Sequence, residues 1–451
     1  MKDLTIGAPG KVILRFALPI FLGQLFQLFY TLTDTWIIGR VLGDAALAAV
    51  GSVTPLSDMI VGFLIGLTNG FGVITAYWFG AKEEKEVNRS FGGSLLFGTL
   101  TSLVFTIVSV LLLPQFLTLV HVQPEHIAGA TAYIRVILLG MFTAMLYNVF
   151  AATLRAMGDT VAPLLFLVIS ALLNIGLDFL MVAGLRMGIS GASIATVIAQ
   201  LISALLCALY ILKKYPILRL SKNSFLLNKD ITRQLWMSGL SMGLMNSLVM
   251  MGTLILQGAI NLFSSSIIVA HYAARKLTHF FMIPFSVLSM TSASYCGQNY
   301  GAGFYDRIRT GIKKCITYAW IWCAGVILVT YLFAPAMVQI ITSSQDKEIL
   351  STASLYLRVN TLFYFVTAVI TVSRNALQGI GDHTTPIISS GIELLGKLFT
   401  VLFLAPTLQY FGIIISEPIV WFLMVIPLII KLRKSDVYQN AKIIKKEEPT
   451  I

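Results

Sequence analysis

"LRAMGDTVAP", residues 154–163, and "LQGIGDHTTP", residues 377–386, are one passage written twice, 223 residues apart. "YIRV" at 133–136 returns as "YLRV" at 356–359 with the same offset, and "YWFGAKEEKEVNRS" at 77–90 lines up with "QNYGAGFYDRIRTG" at 298–311, offset by 221. Three matches in one order at nearly one spacing make an internal repeat. The long basic connection from Lys213 to Arg233 divides the two copies.

Composition says what each copy is. Of the 451 residues 57% are hydrophobic and only 12% charged, about half the charge of an ordinary soluble domain. The stretches 90–113, 187–212 and 315–345 carry no formal charge, and each is long enough to cross a hydrocarbon core of about 30 Å. About twelve such spans are expected, six per copy. Six is even, so both copies enter the bilayer in the same orientation, related by an axis along the membrane normal, as in many transporters. The expected fold is an all-α membrane protein of twelve transmembrane helices in two six-helix lobes related by a pseudo-twofold. The lobes are placed at residues 1–212 and 234–432, with a cytoplasmic loop at 213–233 and a cytoplasmic tail at 433–451. The first apolar segment has no basic leader and small-residue cleavage site before it, so it reads as a retained helix.

The net charge of +12 reports topology and not a nucleic-acid partner. Lys82, Lys85 and Arg89 share one connection; Lys213, Lys214, Arg219, Lys222, Lys229 and Arg233 share another. Arg307, Arg309, Lys313 and Lys314 lie in a third, and Lys431, Arg433, Lys434, Lys442, Lys445 and Lys446 in the tail. The alternate connections hold little beyond Arg40, Arg186 and Lys347, so both termini are expected in the cytoplasm of a multi-pass protein of the cell inner membrane. Cys207, Cys296, Cys315 and Cys323 fall in apolar runs without metal-type spacing and read as buried small hydrophobes. The repeated Gly-Asp-x-x-x-Pro elements suit a tight turn feeding the first turn of the next helix; a hinge is the alternative.

The informative residues are those whose charge or polarity the bilayer penalises: Asp34, Asp58, Asp178, Arg275, Lys276, Glu393, Lys397 and Glu417. Counting from the span ends, Asp34 lies roughly 8 to 13 Å below the outer surface, Asp178 roughly 9 Å and Thr196, on the next span, roughly 10 Å. Asn174 is one helical turn from Asp178 and shares its face. Two carboxylates, an amide and a hydroxyl at one level can coordinate Na⁺ or hold protons; plain interhelical hydrogen bonding is the alternative. The repeat offsets carry Asn174 onto Lys397 and Asp178 onto Val401, so the second copy lacks this cluster. Glu393 and Lys397, four apart, read as an intrahelical pair. Arg275 and Lys276 line a cavity, snorkel to the surface or pair with a carboxylate. Asp58 is a candidate substrate contact, and His121, His126 and His383 read as solvated.

With the passage "LTDTWIIGRVLGDAALAAVG", the connections "FGAKE" and "QNYGAG", the repeated Gly-Asp-x-x-x-Pro and the six-plus-six plan, the chain resembles the multidrug and toxic compound extrusion (MATE) transporters over almost its whole length. In that family's prokaryotic members the resemblance implies a cation or proton site at Asp34, Asn174, Asp178 and Thr196, with Gln27, Tyr30 and Asn148 lining the amino-terminal cavity. The seventh span has no acidic residue, Gln257 being its nearest polar candidate, and the eighth carries Arg275, Lys276 and His279; the chain is therefore more similar to the DinF-like branch. The substrate-cavity set is Gln27, Tyr30, Asp58, Asn148, Gln257 and Arg275.

The resemblance implies a monomeric secondary antiporter that rocks between inward-facing and outward-facing states. It would expel amphipathic, often cationic drugs in exchange for Na⁺ or H⁺, with no cofactor. A lipid-linked-oligosaccharide flippase of the same superfamily is the rival, and a major-facilitator-type carrier is disfavoured because its charged loop signature is missing. No nucleophile, metal set or phosphate-binding glycine loop points to an enzyme.

Overall fold

In the computed structural model the described residues are 3–119 and 122–439; His121, Lys442, Lys445 and Lys446 lie outside them. The chain runs through α1 (Pro9–Leu42), α2 (Asp44–Gly80), α3 (Glu84–Leu111), the short α4 (Leu113–Leu119), α5 (Ile127–Leu139), α6 (Met141–Ala156), α7 (Val161–Asp178) and α8 (Ile189–Lys214). The second copy follows as α9 (Lys229–Ile260), α10 (Ser265–Gly301), α11 (Tyr305–Thr342), α12 (Lys347–Leu362), α13 (Tyr364–Gly379), α14 (Thr384–Phe399) and α15 (Ala405–Lys434).

Nine stretches are long and apolar enough to cross a membrane, and the pairs α5/α6 and α12/α13, bent by 45° and 55°, bring the number to eleven. One of the nine, Thr384–Lys434, is 51 residues long and is broken at Gln409, whose φ of 53° and ψ of −141° interrupt the helix. At about 1.5 Å per residue it is long enough to cross twice. The described residues thus make twelve spans, six in each copy.

The copies also break alike. Gly140, at the α5/α6 bend, and Phe363, at the α12/α13 bend, are 223 residues apart, and π-helical turns follow α7 (Phe179–Gly184) and α14 (Thr400–Leu404) at corresponding places. Both Gly-Asp-x-x-x-Pro elements are helix-entry turns. Gly158 and Gly381 take φ of 79° and 88°, where a side chain would be strained. Asp159 Oδ1 accepts the Ala162 N–H at 3.2 Å, and Asp382 Oδ1 accepts those of Thr384 and Thr385 at 3.0 and 3.1 Å.

The chain divides into two compact units, Arg15–Ser247 and Leu248 onward, the latter with Leu4–Leu14. In the first, α2 is heavily buried, and its glycines let the first part of α9 touch its backbone: a Cβ on Gly66 or Gly70 would collide with the carbonyl of Met242 or Ser238. Ser238 Oγ donates to the Gly70 carbonyl at 2.9 Å. Close contact through small residues is how helices associate where hydrophobic exclusion gives no drive. In the second unit the amino-terminal strand of chain is tied down by polar contacts, Leu4 N to Gln298 Oε1 at 2.9 Å and Arg307 to the carbonyls of Gly7 and Leu4 at 2.8 and 3.1 Å.

Candidate functional site

The cluster expected in the first unit is assembled from α1, α7 and α8. Asn174 and Asp178 project from one face of α7 and are fully buried. With its amide oriented by hydrogen-bond complementarity, Asn174 donates to Asp178 Oδ2 at 2.9 Å and accepts from the Thr196 N–H at 3.2 Å. Thr196 Oγ1 meets the Tyr30 hydroxyl at 3.2 Å and donates to the Ala192 carbonyl at 3.1 Å. The carboxyl groups of Asp34 and Asp178 stand close enough to share a hydrogen bond, and each keeps one buried oxygen, Oδ1, without a partner.

Local structure leaves this region adjustable. Thr31, Thr33 and Thr35 turn their hydroxyls back onto the carbonyls of Gln27, Phe29 and Thr31 at 3.0, 2.9 and 2.8 Å, competing with the helix ladder on either side of Asp34. The π-helical turn begins immediately after Asp178, where widened turns often accompany function.

Two buried carboxyls can share a hydrogen bond only if one is protonated; otherwise a cation must stand between them. The orphaned Oδ1 atoms and the Thr196 and Tyr30 hydroxyls are oxygens of the kind a hard cation such as Na⁺ takes, while the Asn174 amide holds Asp178 Oδ2 in place. The site is therefore chemically fit for a proton or for Na⁺.

The other expected site residues fall elsewhere. Gln27 and Asp58 are exposed on α1 and α2, while Asn148 turns its amide onto the Ala144 carbonyl of its own helix at 2.8 Å. Gln257, exposed in the second unit, donates to Asn261 at 2.9 Å. Of the open readings for Arg275, the geometry supplies pairing, with Glu417 at 3.1 Å. His126 and His383 are half-buried and not freely solvated: His126 approaches Glu125 at 3.5 Å and His383 meets Gln378 at 2.9 Å. All four cysteines are buried and free.

Two features went unread in the sequence. Tyr133, noticed only as part of the repeat, has its phenol within electrostatic reach of Asp34, Tyr30, Asp58 and Asp178. Its repeat partner Tyr356 donates to Glu417 at 2.9 Å, so the recurrence of "YIRV" and "YLRV" was the available signal. Glu393 does pair with Lys397 at 2.9 Å, but Arg374 from α13 joins at 3.3 Å, making a triad.

A family model, MatE, matches the chain twice, over residues 19–180 and 241–402. Among curated proteins, a probable multidrug resistance protein, YpnP of Bacillus subtilis, is 26% identical over 89% of this chain and 90% of its own length. An FAD transporter of Shewanella oneidensis is 23% identical over 94% and 95%. Among solved structures, a MATE protein in its bent conformation superimposes with a TM-score of 0.89 over 98% of this chain and 99% of the other, at 23% identity.

Proposed function

Because the chain belongs to the multidrug and toxic compound extrusion (MATE) family and is a membrane-embedded transporter, not an enzyme, we propose that it is a secondary antiporter of the cytoplasmic membrane. It exports amphipathic organic compounds, drugs and cations among them, in exchange for inward Na⁺ or H⁺. Both termini lie in the cytoplasm and the protein works as a monomer. The observation that carries the coupling is the pair Asp34 and Asp178, half-buried and buried, in one polar cluster.

The cycle follows from what that pair tolerates. With neither proton nor cation, two ionised carboxyls crowd one another, and α1 gains by carrying Asp34 away from Asp178. The back-bonded threonines around Asp34 make that turn the compliant one. A proton or Na⁺ arriving between the carboxyls draws α1 back to α7, and Tyr30, through Thr196, follows the same movement. Substrate release is coupled to ion entry if the two positions of α1 favour opposite openings of the transporter. The relatives considered above are described as a multidrug resistance protein and an FAD transporter, which supports a small-molecule cargo over a lipid-linked oligosaccharide.

The test is ethidium efflux from proteoliposomes under separately imposed Na⁺ and H⁺ gradients, for wild type and Asp34→Asn. Gradient-driven efflux in wild type and its loss in the variant are expected. Undiminished efflux by Asp34→Asn would remove the coupling role.

A further inference from the structure

The second unit carries more cations in its spans than its carboxylates can neutralise. Glu393 is taken by Lys397 and Arg374. Glu417 is taken on one oxygen by Arg275 at 3.1 Å and on the other by the Tyr356 hydroxyl at 2.9 Å. Lys276, next to Arg275, has no carboxylate partner among the described residues; its ammonium lies 5.3 Å from the centre of the Tyr272 ring.

Lys276 stands eleven residues into the 37-residue α10, roughly 16 Å from the end of the helix. Its side chain is exposed, as are those of Tyr272 and His279, and positions 272, 276 and 279 repeat at helical spacing on one face. Arg275, whose side chain is 36% exposed, borders the same face. An unpaired ammonium on a spanning helix faces the bundle interior or water, because lipid gives it no counter-charge. The side chain leans back over Tyr272, one turn nearer the start of the helix, so the ammonium stands roughly 10 Å from that end even with its reach counted.

Deepening the export reading above, we propose that Tyr272, Lys276 and His279 form a substrate subsite that takes the acidic group of an aromatic organic anion: a carboxylate, sulfonate or phosphate ester. Lys276 supplies the charge. Tyr272, 58% exposed, supplies a ring edge and flank against which a planar cargo can lie, and His279 supplies a hydrogen bond one turn along. The pairing of Arg275 with Glu417 leaves Lys276 as the group with an unspent charge.

The experiment is binding to the purified full-length protein in detergent, read by fluorescence polarisation, with two dyes of one xanthene skeleton. These are 6-carboxyfluorescein, an anion, and rhodamine 6G, a cation without a free carboxylate. Wild type is expected to bind carboxyfluorescein saturably. Lys276→Gln should weaken that binding about tenfold and leave rhodamine 6G within about twofold, as loss of one partly solvated charge partner predicts. Lys276→Arg should restore it, while retained rhodamine binding and a monodisperse elution profile show that the variants are folded. Equal carboxyfluorescein affinity in wild type and Lys276→Gln, or no saturable binding by folded wild type, overturns the subsite. Binding of carboxyfluorescein that depends on Lys276, with export of neither dye from proteoliposomes, supports the subsite and overturns the efflux reading instead.

Discussion

Asn174 and Lys397 occupy one position of the repeat, 223 residues apart, and the two units have built opposite electrostatics around it. In the first, Asn174 bridges Asp178 and Thr196 in a cluster whose only formal charges are carboxylates. In the second, the ammonium of Lys397 reaches Glu393 at 2.9 Å and Thr253 at 3.2 Å, so the cation belongs to the chain itself. An ammonium already held against a carboxylate neutralises the charge that an exchanged ion would otherwise meet. On the proposed coupling, the asymmetry separates a unit free to exchange its ion from one whose charge is fixed.

That separation sets the first prediction. Asp178→Asn keeps the shape of the cluster and leaves Asp34 as its one carboxylate, so the like-charge crowding that Na⁺ or H⁺ relieves is gone. Uptake of ²²Na⁺ or proton release on addition of substrate should vanish in proteoliposomes of this variant, while the protein still elutes as a folded species. Glu393→Gln in the other unit should leave ion exchange present.

Glu393→Gln should instead act on stability. It leaves Lys397 and Arg374, both nearly buried, with no carboxylate between them. Removing one partner from a buried charge network destabilises by about 3 to 5 kcal/mol. A drop of several degrees in the thermal unfolding midpoint in detergent is expected, partly recovered when Lys397→Met is added. A midpoint within one degree of wild type for the single variant would mean that water already solvates the triad.

Much of this could be read from the chain and some could not, for reasons that are physical. The repeat, the twelve spans and the Asp34, Asn174, Asp178, Thr196 set follow from spacing and hydropathy, because a bilayer makes polar residues in apolar runs conspicuous. The partner of Arg275 and the second partner of Glu393 were out of reach: Glu417 is 142 residues from Arg275, and Arg374 comes from the neighbouring helix across a turn. Charges separated by whole spans meet only through packing, which local pattern does not encode. Tyr133 was hidden by its own abundance, since an amphipathic aromatic in a span is ordinarily a packing residue. The break at Gln409 is flanked by Pro406 and Gly412, breakers that mark the turn between the last two spans without marking the residue itself.

Tyr133→Phe tests whether that tyrosine matters to the ion. Its phenol lies within electrostatic reach of both Asp34 and Asp178, so removal of the hydroxyl takes away a dipole from the cluster without opening a cavity. The expected result is a shift of about twofold in the ion concentration giving half-maximal exchange, the size of a through-space dipole effect without a direct hydrogen bond, with the maximal rate preserved. An unchanged half-saturation point would return Tyr133 to packing.

Outside the membrane, Asp159 gives a pH-dependent prediction. Burial works against its charge, but the Ala162 N–H, the hydroxyls of Tyr215 and Tyr210 and the Lys214 ammonium outweigh that and hold its carboxyl below the usual carboxylate range. The hydroxyl bonds are both 2.9 Å and the Lys214 contact is 3.4 Å. A carboxyl whose folded value lies below its unfolded value of about 3.9 stabilises the folded state above that pH, and the contribution disappears as pH falls through the lower, folded value. Wild type should therefore lie above Asp159→Asn in unfolding midpoint from about pH 7 down to about pH 4, and the two curves should converge in stronger acid. Tryptophan-monitored melts across that range decide it. A gap that persists or widens in acid would show that the Asn side chain loses something other than charge, such as the geometry of the turn that Gly158 begins.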